Sequence, residues 1–460
     1  MRLLLISPSW LPTFWNGGKV LTCPTSLPVL ASLTPPDAEI HLVDENVEPV
    51  DLAAPADLVA ITSMTASAPR GYEIADHFRE RGVPVVMGGM HPSALPEEAA
   101  EHADAVVVGE AENQWARVVA DFAAGRPQQF YRTAERPDLT DLPIPRRDLL
   151  RTDRYLTVNL VQTARGCPYA CTFCSVSPTF GRRYRFRPIP EVIEEIRSLH
   201  SPWVVFPDDN IVASRGRAKE LFEALIPLKL RWLGQGDLSM ANDEELLKLM
   251  ARSGCIAMYI GLESLSQESL TAARKRVNLG VDYEQAIGTI HRHGIDIVGS
   301  FVFGLDPDRP DVFQRTVEFA ERVKLALAHF CVLTPFPGTP LHDQLKQEHR
   351  ITNTDWSDYT MGTVVYRPRN MTAAQLHHGH LDAYRRFYSR RSILRRTLVW
   401  RGSARQWPLR MTVNHSYRRL HQGGKITDSI PGEPATNDGT PRRSYRAHTS
   451  PADAASESTT

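Results

Sequence analysis

Two successive trains of short apolar runs, most of them separated by helical patterns, constrain the fold of this chain more than any other feature. In the first train, "RLLLIS", "EIHLVD", "DLVAITS", "VPVVMGG" and "DAVVVGE" read as buried strands, with "PRGYEIADHFRERG" and "PEEAAEHA" as helices between them. Runs this apolar belong to a parallel sheet covered on both faces, because a half-exposed strand alternates polar with apolar residues. A doubly wound α/β domain is therefore expected over residues 1–137. Its ligand belongs at the carboxyl edge of the strands, where Ser63, Met64 and Thr65 follow one strand, Gly88 and Gly89 the next, and Gly109 and Glu110 a third. Tight strand-to-helix turning explains such glycines as well as ligand approach does.

A polar, proline-bearing stretch, "ERPDLTDLPIPRRDLL", is expected to form a linker, set at residues 138–154. The second train then begins. "LTVNLVQT" is followed by helix "PEVIEEIRSLH", and the alternation continues through "WVVFPDDN", "LRWLGQG", "IAMYIGLES", "DIVGSFVFG" and "HFCVLTPF", with a helical pattern after each of the first four. Six strands alternating with helices predict a partial (β/α)6 barrel over residues 155–350, with its chemistry at the carboxyl ends of the strands. A small helical C-terminal extension is expected over residues 351–420, and residues 421–460 lack the apolar content of a core and read as a disordered tail.

Composition narrows the class of protein. With 42% apolar and 23% charged residues over 460 positions, the chain can bury more than one core, and a formal charge of zero gives no reason to expect nucleic acid as a partner. The opening "MRLLLISPSWLP" is too short and too soon broken by proline for a signal segment, and no apolar stretch reaches membrane-spanning length, so a cytoplasmic location is expected. Six scattered cysteines do not make a disulfide framework.

Three of those cysteines, Cys167, Cys171 and Cys174, form a C-x3-C-x2-C pattern on a loop after a strand. A structural zinc site needs a fourth Cys or His, and His200 falls at the far end of the following helix. Iron–sulfur clusters are held by thiolates, and a cubane with three protein ligands leaves one iron open to a small molecule. Cys23, Cys255 and Cys331 are isolated and read as buried core. His291 and His293 end a helix, where basic residues complement its dipole.

At "RGCPYACTFC" the chain resembles the radical S-adenosylmethionine (SAM) enzymes, specifically the subgroup with an N-terminal cobalamin-binding domain, over roughly residues 1–390. The resemblance implies a 4Fe-4S cluster on Cys167, Cys171 and Cys174, with SAM on the fourth iron and Phe173 as the aromatic the family prefers before the last cysteine. Reduction of such a cluster cleaves SAM to methionine and a 5′-deoxyadenosyl radical. It further implies that Asp208, Asp209 and Asn210 face the SAM amino group, although an Asp/Asn cap on the helix "RGRAKEL" fits them equally well. Glu263 is placed to accept from the ribose hydroxyls, and Gly299 and Gly304 resemble the adenine-packing stretch. "TPFPGTPL" matches a recurrent closing segment of the subgroup, or shapes a turn.

For the first domain the resemblance implies cobalamin at Ser63, Met64, Thr65, Gly88, Gly89, Gly109 and Glu110; the D-x-H-x-x-G signature of a lower-axial histidine is absent. The expected enzyme is a cobalamin-dependent methyltransferase acting on an unactivated carbon, or on phosphorus, of a small metabolite, served by a flavodoxin- or ferredoxin-type electron donor. A cobalamin radical SAM rearrangement, cyclisation or ring contraction is the alternative, followed by a non-catalytic Fe–S electron-transfer protein and a zinc module. "GRRYRFRP" is either a solvated face or a steering patch for an anionic substrate or the electron donor, and the Arg-rich segment from Arg385 to Arg419 reads as a solvated helix rather than a membrane-surface contact.

Overall fold

The computed structural model describes residues 1–9, 20–133, 135–397 and 407–422; the expected tail falls almost wholly outside them, as do Leu398 and Trp400 of the Arg-rich segment. Strands are β1 (Arg2–Ser7), β2 (Val20–Thr22), β3 (Glu39–Asp44), β4 (Leu58–Thr62), β5 (Val85–Gly88), β6 (Ala105–Val108) and β7 (Phe130–Arg132). All but β2 form one parallel sheet in the order β3-β1-β4-β5-β6-β7. Consecutive residues of the same strands enter opposite cores. Leu3, Leu5, Leu58, Ala60, Val86 and Val107 pack on one face. Leu4, Ile6, Val59, Ile61, Val85 and Met87 pack on the other. A two-residue repeat with both sets apolar is what a sheet covered on both sides requires. The chain leaves β1 for β3 on one side and returns to β4 on the other, so the order reverses between β1 and β4. Ser63 to Thr65 emerge beside that reversal.

The second half contributes β8 (Tyr155–Thr157), the hairpin strands β9 (Ala164–Arg165) and β10 (Arg185–Phe186), then β11 (Trp203–Phe206), β12 (Arg231–Gly236), β13 (Cys255–Glu263), β14 (Asp296–Phe303) and β15 (Leu327–Val332). Strands β11 to β15 lie parallel in sequence order. The run "LTVNLVQT" is not the continuous first strand that its pattern predicts. Its start lies in β8, which pairs with β2 of the N-terminal half, and only Leu160 bridges to Val205 of β11. The Arg147 side chain explains part of the break, because it donates to the carbonyl oxygens of Val158 and Leu160.

The open edge of the partial barrel, β15, is sealed by side chains of the C-terminal extension. The Tyr388 hydroxyl accepts from Ala328 N–H at 3.2 Å and donates to its carbonyl at 2.9 Å. Tyr384 accepts from Phe330 N–H, and His380 Nε2 meets the Phe330 carbonyl at 2.8 Å. Residues 380, 384 and 388 lie four apart along and just past helix Ala373–Phe387, so one helix face supplies the partners that a sixth strand would. Within the expected helical extension this helix ends at Tyr388 and a second one follows over Arg390–Thr397.

Candidate active site

The cysteine loop is pinned from several sides. β9 and β10 close its base as an antiparallel hairpin. Cys167 N–H donates to the Gly181 carbonyl at 3.2 Å, Thr172 N–H to Ala273, and Leu341 N–H to the Thr172 carbonyl. That last bond brings "TPFPGTPL" onto the loop. Gly166, at φ +95°, has no room for a side chain, since a Cβ there would stand 2.5 Å from the Arg183 carbonyl oxygen. Cys171 is buried, while Cys167 and Cys174 are half-buried. Among the described residues no three His, Cys, Asp or Glu side chains converge on one point as a single metal ion demands. The thiols nonetheless act on one another: Cys174 on Cys167, and both on Cys171. Burial pushes the Cys167 and Cys171 thiols up to about 11 and raises Cys174 as well, which metal ligation would reverse. Three thiols on one pinned loop, one buried and two half-buried, fit the three protein corners of a cubane.

Beside them a cavity of about 310 Å³ opens at the carboxyl ends of β11 to β15. Cys167, Phe173, Asp209, Asn210 and Glu263 line it, so five of the candidate residues meet in one place. Asp208 is not among its lining residues. Its Oδ1 accepts the Thr163 hydroxyl and the Thr163 and Ala164 N–H groups, bracing the chain as it enters the cysteine loop. Asp209 faces the cavity, and burial pushes its pKa up to about 6 against the pull of Gly166 N–H and Arg165. Neither aspartate caps the next helix, whose N-cap is Ser214. Asn210 donates to Asp237 Oδ2 at 2.6 Å, joining two strand ends.

Glu263 ends β13 at φ +61°, a conformation a non-glycine residue adopts only when its surroundings hold it there. Its Oε1 accepts from Lys275 Nζ at 2.8 Å, and both side chains are largely buried. Burial acts against the Lys275 charge, but Glu263 and then Cys171 more than offset it and raise the pKa. Gly261 is required for this pair, because a Cβ there would lie 2.2 Å from Glu263 Oε1 and 3.0 Å from Lys275 Nζ.

Gly299 and Gly304 do not reach the cavity. A Cβ on Gly299 would press on Leu325, and one on Gly304 on the Tyr366 hydroxyl, so both are packing glycines. Ser300 and Val302 of the same strand line the cavity instead. Sequence reasoning missed these two and also Gln235, Asp237, Lys275 and His329. The strand-end logic that singled out Glu263 reaches "GQGD" equally. Cys331, expected in the core, lines the cavity too. His291 lies in the last turn of its helix, where burial, then Arg410 and Lys324, lower its pKa to about 4.

At the N-terminal sheet, Ser63, Gly88, Gly89 and Gly109 form one edge. Ser63 N–H donates to the Gly88 carbonyl at 3.0 Å, and the Ser93 hydroxyl donates to the Gly89 carbonyl while accepting Gly109 N–H. Gly89 has φ +102°, and a Cβ there would lie 2.7 Å from the Ser63 carbonyl oxygen. The buried Ser63 hydroxyl has no partner among the described residues, Gly109 faces open space, Met64 is 52% exposed and Thr65 is buried. An orphaned hydroxyl over a glycine-lined edge fits a large ligand that brings its own polar atoms. Glu110 differs, because its carboxylate is already taken: Arg165 Nη1 donates to it at 2.7 Å and Arg185 Nη2 at 2.6 Å. Arg165 directly precedes the cysteine loop and also pairs with Glu112, so the N-terminal sheet grips the base of that loop. Gly338 of "TPFPGTPL" packs on Ala94, making a second contact between the halves.

Comparison with known proteins agrees with this geometry. Residues 161–320 match the radical SAM superfamily and residues 31–119 the B12 binding domain. The chain is 32% identical over 393 residues to bacteriochlorophyllide d C-8(2)-methyltransferase of Chlorobaculum tepidum, covering 81% of this chain and 87% of that protein. It is 29% identical over 436 residues to the C-12(1)-methyltransferase of the same organism, covering 91% and 94%. Its fold resembles that of the radical SAM methyltransferase TsrM of Kitasatospora setae, solved with cobalamin and a 4Fe-4S cluster bound, at a TM-score of 0.64 and 18% identity over 91% of this chain and 99% of that one. This chain belongs to the cobalamin-binding radical SAM enzymes and is a methyltransferase of that family, working with a 4Fe-4S cluster, SAM and cobalamin.

Proposed function

We propose that the enzyme transfers a methyl group to an unactivated carbon of a small molecule, with phosphorus as the second candidate centre, and that the substrate lies between the glycine-lined edge of the N-terminal sheet and the cavity of the barrel. One observation carries this reading: Glu110 and Glu112, at the carboxyl edge of the first sheet, hold Arg165, the residue that enters the cysteine loop. Two cofactor sites joined through a buried charge network can serve one substrate without a hinge between them. Units at residues 1–137, 155–350 and 351–420, with a linker at 138–154, are the division that best fits this arrangement.

In this reading Cys167, Cys171 and Cys174 would hold the cluster, which when bound would supply one electron for reductive cleavage of SAM, with cobalamin as the methyl carrier. Asp209 offers a carboxylate to the SAM ammonium group, with Asn210 and Asp237 fixing the floor beside it. Glu263 keeps Oε2 for the ribose hydroxyls while Lys275 holds Oε1 and fixes the carboxylate's orientation. Phe173 forms part of the wall. Ser63, Gly88, Gly89 and Gly109 cradle cobalamin with backbone and one free hydroxyl, and Thr65 supports the turn. Asp208 and Glu110 act as positioning residues behind these groups, Gly299 and Gly304 by packing.

Methyl-deuterated SAM tests the reading. With anaerobically reconstituted protein and a lysate of the source cells, a product carrying deuterium is expected. Formation of 5′-deoxyadenosine with no deuterium in any product would favour rearrangement or ring closure instead.

A further inference from the structure

The four arginines of "GRRYRFRP" divide into two kinds. Arg185 and Arg187 turn inward and pair with Glu110 and Glu195. Arg182 and Arg183 are exposed, and neither is in an ion pair among the described residues. A third exposed guanidinium joins them from far away in the chain: Arg136 lies over Gly181, where a Cβ would stand 2.9 Å from its Cζ, and donates to the Pro178 carbonyl rather than to a carboxylate. In a chain with equal numbers of acidic and basic residues, three cations left without acidic partners on one turn are a local field that the whole-chain charge hides.

This turn is next to the cluster cysteines. The Gly181 carbonyl accepts Cys167 N–H at 3.2 Å, and the Arg183 carbonyl closes over Gly166. Tyr184 follows. It stacks on Phe186 with ring centroids 5.6 Å apart, and its hydroxyl donates to the Asn210 carbonyl at 2.9 Å beside the cavity. An aromatic side chain thus runs from the turn that carries the exposed guanidiniums to Asn210, a residue lining the cavity.

We propose that Arg136, Arg182 and Arg183 form the docking surface for an acidic electron-carrier protein that delivers one electron to the cluster through the Gly181–Tyr184 turn. The carrier is oxidised by one electron and the cluster reduced by one; no covalent bond changes at this step. The inference rests on the cluster being held at Cys167, Cys171 and Cys174. An anionic substrate is the competing occupant, but these side chains are on the outer face of the turn and are not among the residues lining the cavity.

The test follows the bleaching of the reconstituted holoprotein by stopped flow with two reductants: reduced flavodoxin, an acidic protein, and the reduced methyl viologen cation. The R136E/R182E/R183E variant is expected to slow flavodoxin reduction at least about tenfold and leave viologen reduction unchanged, with R136Q/R182Q/R183Q between it and the wild type. Raising salt from about 0.05 to about 0.5 M should slow the wild type with flavodoxin alone. Unchanged flavodoxin rates, equal slowing with both reductants, or no salt dependence in the wild type would each overturn the docking surface. Absence of any bleaching by viologen in the wild type would remove the cluster reading itself, and the docking surface with it.

Discussion

The two strand edges proposed to face the cofactors are built from different materials. The edge of the N-terminal sheet presents backbone, three glycines and a hydroxyl, and its carboxylates, Glu110 and Glu112, are spent on holding the other half of the protein. The mouth of the barrel presents charge: Asp209 and the Glu263–Lys275 pair in a strained turn, beside the Cys167 thiol. The difference suits what each is proposed to hold. A large ligand that brings its own amide groups needs an open cradle and a few unmet hydrogen-bond partners. A small zwitterion that must lie against a cluster needs fixed charges already oriented, because reorienting them during the reaction would cost the stabilisation they provide.

Each edge can be disrupted by substitution while the other is watched. Cys171→Ala should have the largest effect: no iron-bound chromophore and no 5′-deoxyadenosine, with cobalamin retained when measured by absorbance. Loss of both cofactors together would mean that the edges do not assemble separately. Lys275→Met leaves the buried Glu263 carboxylate without its cation, and should lower stability by about 3 kcal/mol in a denaturant titration and weaken SAM binding by calorimetry. Gly89→Ala forces a Cβ against Ser63 in a left-handed conformation, so cobalamin content should fall at a stability cost of about 2 kcal/mol while the cluster chromophore persists. Glu110→Gln should have the smallest effect, about 1–2 kcal/mol in thermal stability with unchanged cobalamin content, since its partners are Arg165 and Arg185. A fall in cobalamin content with normal stability would instead return Glu110 to the cofactor.

How much of this could be read from the sequence also differs between the edges. The mouth of the barrel was legible because cysteines at C-x3-C-x2-C spacing and a carboxylate after a strand are rare chemistry in a predictable place. Lys275 was not, because "ARKRV" offers a lysine between two arginines in a connecting segment, and only the fold shows which of them turns inward. The N-terminal edge was legible as glycine turns, since buried strands fix where the chain must reverse. Its charge network was hidden, because Glu110 meets Arg165 across 55 positions and no local pattern encodes a partner that distant. The sealing of β15 by His380, Tyr384 and Tyr388 was hidden likewise: a helix with aromatic residues four apart reads as core, and only the unpaired strand edge beside it reveals hydrogen-bonding partners.

If two cofactors serve one reaction, the fate of SAM records it. In a single anaerobic reaction with substrate supplied from a lysate, S-adenosylhomocysteine and 5′-deoxyadenosine are counted against the methylated product. The three are expected in equal amounts, because one SAM supplies the methyl group and a second supplies the radical. Release of 5′-deoxyadenosine without S-adenosylhomocysteine would contradict this, leaving the cluster edge active and the cobalamin edge outside the reaction.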